Sequence, residues 1–91
     1  MAGPVNNYEV TGHAAFEIRR RGIAESLVRA VLAAPEQRHK IRPGRDVLQS
    51  RIAVAGKTYL IRVFVDVDRT PPEKVTVYMT SRMAKYWRAE S

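Results

Sequence analysis

Tyr59, Ile61, Val63, Val65 and Val67 occupy every second position of one stretch, with Thr58, Leu60, Arg62 and Phe64 between them. Side chains alternate between the two faces of a strand and repeat every 3.6 residues on a helix, so this stretch is a strand with one apolar face. The same alternation defines strands over about 38–42, 47–55 and 74–79 beside the one at 58–67. Val75, Val77 and Met79 continue the apolar face, as do Leu48, Ile52 and Val54, with Ser50 interrupting it. The separators are Pro43-Gly44, Ala55-Gly56-Lys57 and the 68–72 loop, all too short for parallel crossovers, so the pairings are expected to be antiparallel.

Before Pro35 the period is helical. Thr11 is a candidate N-cap, Ala14, Ala15 and Ile18 follow at helical spacing, and Gly22 supplies a stop, which predicts a helix over 12–21. A second helix is predicted over 24–33, with Leu27, Val28, Val31 and Leu32 as its stripe and Pro35 closing it. Residues 81–88 have the composition of a short closing helix. The expected fold is therefore α+β: two N-terminal helices packed on a four-stranded antiparallel sheet, then a short C-terminal helix. Residues 1–10 show no sustained period and are read as a flexible leader, and 11–91 as a single domain.

The opposite parity of the sheet carries Arg38, Lys40 and Arg42, then Gln49, Arg51 and Ala53, then Thr58, Leu60, Arg62 and Phe64, then Lys74, Thr76 and Tyr78. From Glu36 to Arg62 seven Arg or Lys residues face only two acidic ones. The whole chain has 16 Lys and Arg against 9 Asp and Glu, a formal charge of +7 and a pI near 10.4. Such a balance attracts polyanions, and cations interleaved with aromatic rings suit unpaired RNA, because phosphates take the charge and bases stack on rings. A merely solvated sheet face has a similar composition. No cysteine is present, and no segment approaches the ~20 apolar residues of a membrane span, so a cytoplasmic, membrane-free protein is expected.

The run His13-Ala14-Ala15-Phe16-Glu17 leading to Arg21-Gly22-Ile23, then Ala34-Pro35-Glu36-Gln37, Pro43-Gly44-Arg45, Thr76-Val77-Tyr78-Met79-Thr80-Ser81 and Lys85-Tyr86-Trp87, resembles a family of small bacterial proteins of unknown function. That family is allied to the BrnT and RelE toxins, within the barnase, EndoU, colicin and RelE ribonuclease assemblage. The likeness extends over roughly residues 8–88. It implies two N-terminal helices on a four-stranded antiparallel sheet and metal-independent RNA cleavage, controlled by a co-encoded antitoxin protein. It departs at Glu17, where many toxin-like relatives carry Arg.

Cleavage of RNA without a metal needs a base for the 2′-OH, an acid for the leaving oxygen and cations around the phosphorane. His13, Glu17 and Arg21 recur at i, i+4 and i+8 on one side of the first helix, suited to proton transfer, although Glu17 with Arg21 is also an ordinary helix ion pair. The expected catalytic set is His13, Glu17, Arg62 and Tyr78. The expected RNA or phosphate contacts are Arg21, Arg38, Lys40, Arg42, Arg45, Arg51, Thr80, Ser81 and Lys85, the arginines through bidentate guanidinium contacts and Thr80 and Ser81 through a strand-end cradle. Trp87 reads as an anchor for the tail, and His39 as structural. No metal-ligand cluster, glycine-rich phosphate loop or serine nucleophile elbow is found, so no metal or small-molecule cofactor is expected. A metal-independent endoribonuclease of toxin-antitoxin type is the first reading. A non-catalytic nucleic-acid-binding module, or a decayed toxin-like domain docking an acidic partner, is the alternative.

Overall fold

In a computed structural model, the chain is described at residues 3–5, 9–68 and 72–88, with 73–75 described through their backbone. The elements in order are β1 (Glu9–Val10), α1 (Gly12–Arg20), α2 (Glu25–Ala33), β2 (Gln37–Arg42), β3 (Arg45–Val54), β4 (Lys57–Asp66), β5 (Glu73–Thr80) and α3 (Met83–Tyr86). The sheet order is β1-β5-β4-β3-β2. Strands β2 to β5 pair antiparallel throughout, which gives the expected α+β architecture with its short closing helix.

Local signals build α1. The Thr11 hydroxyl accepts from the Ala14 amide at 3.0 Å and caps the first turn. At the other end Gly22 adopts φ +70, while the amide of Ile23 donates to the Ile18 carbonyl and that of Gly22 to Arg19. These two bonds form a Schellman stop, and Ile18 and Ile23 join the same apolar cluster beneath it. Chain reversal is thereby compact, and α2 returns across the sheet. Val28, Val31 and Leu32 of α2 pack against Leu48, Ile61, Val63, Val65 and Val77 of the sheet. Ala14 and Ile18 are the buried side of α1, which lies along β5.

The fold differs from expectation in two places. Val5, inside the segment read as a leader, is buried, and its amide donates to the Leu32 carbonyl at 2.7 Å. Glu9 and Val10 form β1, parallel to β5 opposite Glu73 and Lys74. Two residues have no visible period, so this strand carries no sequence signature. Residues 1–2 and 6–8 of the leader, and 69–71 of the 68–72 loop, lie outside the described residues, as do the side chains of Lys74 and Val75.

The second difference is the phase of β2. The hairpin register sets Gln37 opposite Gln49 and Arg38 opposite the core residue Leu48. Gln37 and His39 therefore share the face of Gln49, and Arg38 and Lys40 point to the helix side. Expectation had assigned that phase by charge, whereas pairing with β3 decides it. Among the described residues, no helix is long and apolar enough to cross a membrane.

The β3-β4 turn joins Val54 to Lys57 through Ala55 at φ 51 and Gly56 at φ +79. Both central residues of such a turn need positive φ, which an alanine adopts at a cost of about 1–2 kcal/mol. Replacing the exposed Ala55 by Asn is expected to stabilise the protein by about 1 kcal/mol in urea-induced unfolding.

Candidate functional site

Across the second face of the sheet runs one row of polar side chains: Gln37, Gln49, Arg62 and Tyr78, each opposite the next. Gln49 is fully buried and Arg62 is 9% exposed. The Arg62 Nε donates to Gln49 Oε1 at 2.9 Å, and its Nη1 donates to the Tyr78 hydroxyl at 2.7 Å. Gln49 Nε2 donates to Gln37 Oε1 at 2.8 Å and to the Tyr86 carbonyl at 3.1 Å. Gln37 in turn grips the tail backbone, donating to the Arg88 carbonyl and accepting from the Arg88 amide. The guanidinium of Arg62 lies 4.4 Å from the Tyr86 ring centroid, 5.3 Å from Phe64 and 5.7 Å from Tyr78. Arg51 lies 4.2 Å over Trp87 in the same way.

Hence this face is not the open basic platform that alternation suggested. The C-terminal tail is seated on its centre, held by backbone hydrogen bonds and ring contacts. Alternation assigns a side chain to a face; it does not say what returns to cover that face.

Three of the expected phosphate contacts, Arg38, Arg45 and Arg51, are held by carboxylates. Arg38 pairs with Asp46 at 2.8 Å on the helix side and also donates to the Gly3 carbonyl. Arg45 pairs with Asp66, directly across the sheet, at 2.8 Å, which raises its pKa. Glu36 holds Arg51 with both oxygens and also accepts from its amide; these contacts keep the Glu36 carboxyl below its ordinary pKa. Lys40 and Arg42 are exposed, Lys40 on the helix side and Arg42 opposite Arg45 beyond a shift in register.

On α1, Glu17 accepts from Arg20 at 2.7 Å and lies 3.5 Å from Arg21. The Arg20 hydrogen bond, chiefly, with the charges of Arg20, Arg21 and His13, holds the Glu17 carboxyl below its ordinary range. His13 is exposed in the first turn. Of the expected catalytic set, the structure brings Arg62 and Tyr78 together. Among the described contacts, neither His13 nor Glu17 is bonded to that pair.

A residue outside the expected set completes the cluster. The Tyr86 phenol meets the Tyr78 hydroxyl and the Lys85 ammonium, and these contacts, with the charge of Arg62 close by, hold its pKa below the usual phenol range. Tyr78 links the Arg62 cluster to a cleft of about 810 Å³ at the end of β5. Its lining includes the apolar Ile23, Val54 and Met79 and the polar or aromatic Arg21, Tyr59, Thr80 and Ser81. Three expected contacts, Arg21, Thr80 and Ser81, thus meet around one cavity. Arg21 is held there by donating to the Val77 carbonyl at 2.6 Å, and the Thr80 hydroxyl accepts from the Arg82 amide at 3.1 Å.

Sequence reasoning missed Gln37 and Tyr59 as members of the site, set Tyr86 near its edge without a role, and placed Gln49 on an open face. The two glutamines had no local signal: the Arg42-Arg45 pairing continued in register would set Arg38 opposite Gln49, and the shift between Lys40 and Arg42 sets Gln37 there instead. Among the described residues, no group of three or more His, Cys, Asp or Glu side chains could hold a metal ion. No protein-family model, curated protein or solved structure matches the chain.

Gln49 is the acceptor that makes burial of Arg62 tolerable. The isosteric change Gln49→Leu leaves a buried guanidinium nitrogen unsatisfied and releases the Tyr86 carbonyl. A loss of about 1.5–3 kcal/mol is expected in chemical denaturation. Gln49→Glu restores the acceptor and adds a counter-charge for Arg62 but loses the donor to Gln37 and Tyr86, and is expected to recover only part of it.

Proposed function

We propose that the chain is a metal-independent endoribonuclease that cuts single-stranded RNA at the Arg62, Tyr78, Tyr86 and Lys85 cluster. One observation carries this reading. Arg62 is a nearly buried cation whose described partners are neutral oxygens and ring faces, with no carboxylate among them. A cation taken out of water without an opposing charge is costly, by several kcal/mol for an ion of this kind. An arrangement that maintains one beside two phenols is suited to an anion arriving at the surface, and phosphate is the anion that a basic chain meets on nucleic acid.

The chemistry follows from the hydrogen-bond direction. Arg62 donates to Tyr78, and Tyr78 lies against Tyr86, so positive charge is relayed to the Tyr86 oxygen and favours its ionised form. Phenolate Tyr86 takes the proton of a ribose 2′-OH as the 2′ oxygen attacks the adjacent phosphorus. Negative charge on the phosphorane is stabilised by Arg62 beneath and Lys85 beside it. The bond from phosphorus to the 5′ oxygen breaks, and that oxygen takes a proton from the Lys85 ammonium. The products are a 2′,3′-cyclic phosphate and a 5′-hydroxyl. Such a role places the protein with cellular RNA in the cytoplasm, where a co-encoded antitoxin would control it.

A non-catalytic RNA-binding module is the second reading. It is favoured by the tail seated over Arg62, which leaves that guanidinium little direct access to a phosphate.

Incubation of the full chain with labelled single-stranded RNA in EDTA separates the two. Cleavage leaving cyclic phosphate ends is expected, with its rate rising with pH through a range below the ordinary phenol pKa. Tyr86→Phe keeps the ring over Arg62 and removes the hydroxyl; it is expected to lower the rate about 100-fold or more and abolish that rise. RNA retention without cleavage overturns the enzyme reading and supports the binder.

A further inference from the structure

The cleft at the end of β5 is distinct in composition from the Arg62 cluster, although Tyr78 borders both. Its floor is apolar, and it includes Val54, one of three large hydrophobic residues conspicuously exposed among those described, at 44%. Two tyrosines line it, Tyr59 from the helix side of the sheet and Tyr78 from the other face, together with Arg21, Thr80 and Ser81. The volume of about 810 Å³ falls within the range of small-molecule sites.

An apolar lining beside the Tyr59 ring accepts one face of a flat heterocycle. Hydroxyls at its edge read hydrogen-bonding groups on that heterocycle or its sugar, and one oriented guanidinium takes an attached anion. Arg21 is oriented because the Val77 carbonyl holds its Nη1 and Glu17 approaches its Nε, leaving Nη2 for a ligand. Thr80 is fixed by the Arg82 amide, which occupies one lone pair and leaves its hydrogen to donate. The cations Arg20, Lys57 and Arg82 are exposed on the segments that converge on this end of the sheet.

We infer that this cleft is a nucleoside monophosphate subsite, holding one unpaired base and its phosphate from the RNA strand whose neighbouring linkage lies at Tyr78 and Tyr86. The inference rests on the proposed RNA-directed function and adds to it where a base is held and why the substrate is single-stranded. A base paired within a duplex has both faces stacked and cannot enter.

Amide-resolved NMR titration of the full chain tests this directly, with AMP, adenosine, inorganic phosphate and an oligoadenylate of four nucleotides as separate probes. AMP is expected to shift the amides of residues 21–23, 54–59 and 78–81. Adenosine is expected to bind more weakly, phosphate weakest, and the oligoadenylate at least tenfold more tightly than AMP. Arg21→Gln is expected to weaken AMP about tenfold and leave adenosine unchanged. Val54→Glu, at an exposed position that tolerates charge, is expected to abolish AMP binding with an unchanged spectrum elsewhere. Shifts confined to other regions, tight phosphate binding equal to that of AMP, or an oligoadenylate no tighter than AMP overturn the subsite. Cleavage that persists in Val54→Glu with unchanged KM would overturn the subsite alone, whereas AMP binding in a chain that cuts no RNA would overturn only the nuclease reading.

Discussion

The bond between Gln49 and Arg62 is the constraint on which the polar side of the molecule depends. A guanidinium placed in the middle of a central strand must either reach water or be supplied with acceptors. Here water is largely excluded by the tail, so the side chain of the neighbouring strand supplies one acceptor and the phenol of the next supplies another. Gln49 has a carbonyl and an amide to offer, and both are used. Its carbonyl faces the cation, and its amide ties Gln37 and the Tyr86 backbone. An apolar residue at 49 could fill the space but could not join these groups.

This explains how a tail with no buried side chains in its one-turn helix keeps a defined position. A single turn is far too short to be stable through its own hydrogen bonds. The tail is fixed instead because two glutamines address its backbone and two arginines lie against its rings, Arg62 under Tyr86 and Arg51 under Trp87. Cation-π contacts removed from water contribute about 2 kcal/mol each, and those nearer solvent less. Order at Tyr86 therefore follows from the same side chains that shape its phenol's environment. Position and acidity have one cause.

The sequence made the fold legible wherever the signal was local. Thr11 and Gly22 bracket α1 by backbone chemistry within one turn, and strict alternation from Tyr59 to Val67 fixes both the strand and its buried face. What escaped was non-local. Whether Arg38 faced Leu48 or Gln49 depended on hairpin register, not on its own neighbours. Arg45 found Asp66 and Arg51 found Glu36, both distant in sequence, so these cations counted in a patch proved to be paired with carboxylates. Tyr86 could be placed on a short helix but not over Arg62, since hydrogen bonds to its backbone are indifferent to side-chain identity. Of the site, Arg62 with Tyr78, and Arg21 with Thr80 and Ser81, were legible as residues; their division into a buried cluster and a separate cleft was not.

A net charge of +7 says little until internal pairing is taken into account. Glu17, Glu36, Asp46 and Asp66 each hold an arginine, so the ion pairs neutralise Arg20 on α1, Arg38 on β2, and Arg45 and Arg51 on β3. The cations left outermost are not spread in the same way. Arg21 caps α1, Lys57 opens β4, and Arg82 and Lys85 follow β5, so several fall on the segments around the cleft, whereas Lys40 and Arg42 are exposed on β2. Exposed charges act over about 8 Å at physiological ionic strength. At that range Lys57, Arg82 and Lys85 act locally at the strand end, and Lys40 and Arg42 act separately at the β2-β3 hairpin. On the proposed RNA-directed function, a polyanion would meet these strand-end cations where Tyr78 joins the cleft to the buried arginine.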